Sequence, residues 1–204
     1  MRWWSVVMIV SIELASRGWA LAADPRFPDW PCNQVKVPEL SIAAMWAGPS
    51  VDDVGNTWED DPITKDLVAR LAARRTPLDQ AEKAISDFVT GDAAERQQKG
   101  KLIFAGLFGT LNRQRDDVMN GIERLFGQQR TFADKIRSET RELQDVQVAP
   151  DPDRSKVDGL TDRIGWDTRI FEERRTTIRY ACEVPVLIEQ RLFALARAIQ
   201  QSLE

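Results

Sequence analysis

Cys32 and Cys182 are the only cysteines in the chain. Two thiols allow a single intramolecular pairing, so a disulfide between them involves no choice of connectivity. The loop it closes spans about 150 positions, for which the chain-entropy account gives a ceiling of roughly 5 kcal/mol. The competing chemistry is a redox-active or metal-binding thiol. That chemistry calls for a C-x-x-C partner or a histidine, and the sequence has neither.

Two charged clusters come next. The row "RIFEERRTTIRY" brings Arg169, Arg174, Arg175 and Arg179 close together, and guanidinium groups clamp carboxylates or phosphates through paired hydrogen bonds. Asp167, Glu172 and Glu173 lie among them, so a salt-bridged outer face competes with an anion site. The stretch "DDVGNTWEDD" offers Asp52, Asp53, Glu59, Asp60 and Asp61 as weak candidates for holding a hard cation. Their spacing does not follow the calcium-loop pattern, and helix capping accounts for them more simply. The expectation is no metal centre and no cofactor.

The chain contains no histidine. That removes the usual general base, the Ser-His and Cys-His pairs and the commonest transition-metal ligand. No glycine-rich phosphate loop, haem-attachment motif or zinc-protease motif is present. A formal charge of -4 gives no general attraction for nucleic acid. The expected role is therefore non-catalytic.

These residues must be positioned by helices. The first residues run from Arg2 through an apolar stretch at Trp3–Ile12 to Ala20-Leu21-Ala22. Basic start, short apolar core and A-x-A site predict a signal peptide over 1–22, and with it export to the periplasm or outside the cell. Cleavage there removes two cations and one anion, so the net charge passes from -4 to -5. Residues 23–61 are rich in Pro, Gly, Asn and Asp and predict an extended arm, with at most a short helix capped by Ser41. Its tryptophans, Trp30, Trp46 and Trp58, need an apolar surface to lie on, either the protein's own helices or something external.

Asp61-Pro62 and Thr76-Pro77-Leu78-Asp79 are helix starts, and together they predict a short antiparallel pair over 62–91. From Asp92 an apolar row runs through Phe104, Leu107, Leu111, Val118, Ile122, Leu125, Phe132, Ile136 and Leu143, interrupted by Arg115 and Gln129. Unbroken, a helix over 92–146 is about 80 Å long. Gly100, Gly106, Gly109, Gly121 and Gly127 mark places where kinks or breaks are expected. After Pro150-Asp151-Pro152 a second row runs from Val157 to Leu203, with Pro185 predicting a kink. The two rows make an antiparallel hairpin over 92–204. Cys182 lies on the second row, placed to receive Cys32 from the arm.

The sequence thus predicts an all-α fold: a long antiparallel helical hairpin, a short helix pair and an extended N-terminal arm pinned by a disulfide. The apolar run 102–111 is too short to span a membrane, and no transmembrane span is expected after the signal peptide. Ile103 and Phe108 flank the stripe there, so Ile103, Phe108 and Leu111 are the candidate contacts for a partner, whether another protein or a second copy of the chain. The leading expectation is an exported accessory or scaffolding protein acting through protein contacts. The alternative is a binding module for a small or anionic ligand, met by the arginine cluster.

Overall fold

The computed structural model describes residues 24–204, so the signal peptide expected over 1–22 lies outside the described residues. Every regular element among the described residues is helical: α1 (Ile42–Met45), a 3-10 turn at Thr57–Glu59, α2 (Pro62–Ala72), α3 (Leu78–Phe88), α4 (Ala93–Gln147), α5 (Arg154–Ala181) and α6 (Val184–Leu203). Their starts follow from local chemistry. Asp61 accepts from the amides of Ile63 and Thr64 at 3.2 and 3.1 Å, with Pro62 opening α2. Asp92 and Glu95 form a reciprocal capping box at the head of α4. Gly91, at φ +115°, makes the turn into that cap in a backbone region that other residues rarely adopt.

The glycines do not break α4, which runs unbroken for 55 residues, about 80 Å. Two of them explain why they are there. A Cβ at Gly100 would lie 2.8 Å from Leu203 Cδ2, and one at Gly106 would lie 2.7 Å from Val68 Cγ2 and 2.9 Å from Trp58 Cδ2. They are close-approach positions for α6 and α2, so their cost in helix propensity is offset by packing.

The region after the Pro-Asp-Pro break is also not the single kinked helix expected. It is two helices, parted at Cys182 and Glu183. The Glu183 amide bonds back to the Tyr180 carbonyl at 3.1 Å, tightening the end of α5. Pro185 then falls in the first turn of α6, where its missing N–H is least missed.

The short helices do not chiefly pair with each other. α2 packs on α4 and α3 packs on α6, and the two meet each other only slightly. Their buried residues explain this: α2 turns Leu67, Val68 and Leu71 inward, and α3 turns Ala81 and Ile85 inward. Those faces join Ile103, Phe104, Leu107 and Leu111 of α4 and Leu192, Leu195 and Ile199 of α6 in one core. Each fully buried aliphatic side chain there contributes about 1.5–3 kcal/mol relative to exposure.

All three arm tryptophans are buried on the protein's own helices. Trp46 stacks on Phe104 with ring centroids 4.4 Å apart, Trp58 closes over Gly106, and Trp30 joins a second, smaller core with Met119, Ile122, Ile178 and Cys182. Cys32 and Cys182 are bonded, with Cα atoms 5.5 Å apart. On either side of Cys32 the arm is also held by ion pairs, Asp29 with Arg130 at 2.7 Å before it and Lys36 with Glu123 at 2.6 Å after it.

Candidate functional site

Arg115, one of the two polar interruptions in the α4 stripe, is 2% exposed. Its Nε donates to Glu189 of α6 at 2.5 Å, and its other nitrogens reach the Val37 and Pro38 carbonyls of the arm. A buried guanidinium with partners on three sides ties arm, α4 and α6 together. Gln129, the other interruption, is also buried. Its Nε2 donates to the Phe171 carbonyl at 2.7 Å, which fixes the amide's orientation and leaves Oε1 without a partner among the described residues. Sequence reasoning treated both as defects in an apolar row. A polar residue in core register was the available signal.

The candidate partner contacts lie elsewhere than expected. Ile103 is fully buried and Leu111 nearly so. Phe108 is half-buried and packs against the same core, its ring 5.9 Å from that of Phe104. The surplus apolar face of 102–111 is covered from within, by α2, the arm and α6, so Ile103 and Leu111 are core residues and not partner contacts. The expectation failed because periodicity shows that a face is apolar without showing what covers it.

The acidic residues serve local structure. Asp53 pairs with Lys101 at 2.5 Å, and that hydrogen bond holds its carboxyl below the usual range. Asp52 accepts from Ser50, and Asp61 caps α2. Asp61 is likewise held low, first by the Thr64 hydroxyl at 2.5 Å and then by the Thr64 amide. Glu59 and Asp60 are exposed beside them. No grouping among the described residues brings together three or more potential metal ligands.

The four arginines do not converge. Arg169 lies over the Trp166 ring at 4.9 Å and Arg174 over Phe132 at 5.0 Å, while Arg175 pairs with Glu172 at 3.3 Å. Arg175 and Arg179, one turn apart, instead face a half-open cleft of about 560 Å³ between α4, α5 and the arm. The cleft has an apolar floor that includes Phe126, Phe171 and Ile178, and Gln129 and the disulfide also line it.

Beyond Gln129 the hairpin stands largely alone. α5 packs on α4 and on little else, so the last part of α4 and the first part of α5 project about 30 Å from the two cores. Their seam is strongly ionic. Lys135 reaches Asp167 at 2.6 Å and Glu139 at 3.7 Å, Arg163 approaches Glu139 at 3.8 Å, and Lys156 meets Glu142 at 2.8 Å. Asp167 raises the Lys135 ammonium above its ordinary range. Leu160 is the one fully apolar side chain buried in this stretch of α5, while Trp166 is 63% exposed and Ile170, one turn on, 37%. No helix among the described residues is long and apolar enough to cross a membrane. Comparison of the chain with protein-family models, curated proteins and solved structures finds no match.

Proposed function

We propose that the protein is an exported, non-catalytic scaffolding component whose α4–α5 hairpin docks a protein partner. The observation that carries this reading is the exposed pair Trp166 and Ile170 on the projecting part of that hairpin. A two-helix projection buries little apolar surface for its length, and its ionic seam holds the helices in register rather than making a deep core. A tryptophan left outside on such an element is costly in water unless something covers it. Trp and Arg are also the side chains that most often anchor interfaces, and Arg169 already lies over the Trp166 ring.

The arm and its cystine belong to the same reading. Bonded to Cys182 and held by Arg115, the arm braces the base from which the hairpin extends, leaving the distal helices free to meet another protein. Export is supported by the signal-like start of the sequence and by the cystine, which persists in oxidising compartments. The non-catalytic reading rests on the missing histidine and on carboxylates engaged in caps and ion pairs.

Replacing Trp166 and Ile170 together with serine tests the proposal. In native-host extracts the wild-type chain is expected in an assembly larger than a monomer by size-exclusion chromatography. The double variant is expected to elute as a monomer with an unchanged melting curve. Equal elution of the two proteins contradicts the proposal.

A further inference from the structure

We propose that the cleft between the cystine and the α4–α5 pair binds a small amphipathic carboxylate, one with an apolar or aromatic body and a hydrogen-bond donor near its acid group. The volume, about 560 Å³, lies within the roughly 300–1,000 Å³ typical of small-molecule sites. Phe126, Phe171 and Ile178 offer an apolar bed for the body.

Gln129 supplies the first polar requirement. Burying an amide oxygen without a partner is unfavourable, and Gln129, which lines the cleft, has its Oε1 buried without a partner among the described residues while Nε2 is committed to the Phe171 carbonyl, so a ligand donor reaches Oε1 by parting the atoms that now cover it. Oε1 accepts only, so the matching group on a ligand is an N–H or O–H. Arg175 and Arg179 supply the second. They follow Phe171, whose carbonyl holds Gln129, by one and two helical turns, about 6 and 12 Å along the axis. Arg179 has no ion pair among the described residues, and Arg175 has only the exposed Glu172. Glu183 also lines the cleft and opposes an anion, but two guanidiniums outweigh one carboxylate. The donor-accepting oxygen and the cationic pair therefore stand within the span of one small molecule.

The arm forms the remaining wall, at Pro31–Gln34, with Cys32 bonded to Cys182. Binding should therefore require the oxidised cystine. An indiscriminate attraction between exposed arginines and acids would be indifferent to it.

The probe is N-acetyl-L-phenylalanine, titrated into the intact oxidised protein by calorimetry and by amide shifts in NMR spectra. The expected result is saturable one-to-one binding with shifts at the cleft residues. N-acetyl-L-phenylalanine amide, which lacks the charge, should bind about tenfold more weakly, as should the acid to the exposed-site variant Arg175→Gln/Arg179→Gln. That variant should no longer separate acid from amide. 3-Phenylpropanoate, which lacks the N–H, should bind more weakly to wild type, and Gln129→Leu should remove that difference. Reduction of the cystine should abolish binding, while the Trp166→Ser/Ile170→Ser variant should bind as wild type does, which separates this proposal from the docking role. Absence of saturation at 20 mM probe, on the order of the weakest affinities worth a site, overturns the proposal. So does equal affinity for acid and amide, or binding unaffected by reduction.

Discussion

Replacing Gly106 with alanine should separate packing from helix propensity inside α4, with Gly109→Ala as its partner experiment. Both glycines lie in the same unbroken helix, and alanine gains about 1 kcal/mol of helix propensity over glycine at either position. At Gly109 a new Cβ meets nothing within 4 Å, so that gain should appear whole. At Gly106 the Cβ arrives 2.7 Å from Val68 Cγ2 and 2.9 Å from Trp58 Cδ2. Both neighbours are buried, so the contact is relieved only by moving α2 or the arm away from α4. Overpacking of this kind costs about 1–3 kcal/mol, leaving a net loss of about 0–2 kcal/mol. In a domain of this size each kcal/mol shifts the midpoint by about 2–4 °C. Thermal melting followed by circular dichroism should therefore show Gly109→Ala rising by about 2–4 °C and Gly106→Ala unchanged or falling. An equal rise in both variants would refute the close approach of α2 and Trp58 to α4.

Three other expectations follow from single contacts. Arg115→Ala should cost about 3 kcal/mol by denaturant unfolding, because it strips partners from Glu189 and two arm carbonyls, whereas a loss under about 1 kcal/mol would mean the guanidinium is not the tie described. Cys32→Ser should lower stability by at most about 5 kcal/mol and raise hydrogen exchange in the arm before the helices; uniform exchange across both would contradict the arm's dependence on the cystine. Asp61 should titrate below its ordinary value of 3.8 by NMR, since the Thr64 hydroxyl and amides favour its ionised form. Its contribution to stability is then complete above the unfolded value and is lost as pH falls through the lower folded one; a midpoint at or above 3.8 would refute the cap.

The all-helical class and most helix starts were legible because they rest on local signals: Asp61-Pro62, the Asp92 and Glu95 box, and apolar spacing along α4. The cysteine pair was legible by elimination. Less legible was what covers the apolar and polar positions along α4. Gly106 looked like a weak point in a helix and is a contact surface for Trp58, a residue about fifty positions away. Ile103 looked like surplus apolar surface and is fully buried in a core shared with α2, α6 and the arm, elements whose placement no periodicity describes. Arg115 and Gln129 broke the pattern for reasons visible only once the arm and α5 lay beside them. The arginine row was read as one cluster, yet a helix spreads four such residues around its axis, and only Arg175 and Arg179 share the cleft.

The docking role of the hairpin is open to one direct measurement: photocrosslinking from position 166 in the native host. A photoreactive amino acid replacing Trp166 should give one discrete adduct with a protein partner or a second copy, and the adduct should vanish when Ile170 is also changed to serine. The same amino acid placed at Ile63, an exposed apolar position on α2, which packs on the first part of α4 and not on the projecting end, should give no such adduct. Identical labelling from both positions, or none from position 166, would contradict a partner seated on the α4–α5 hairpin.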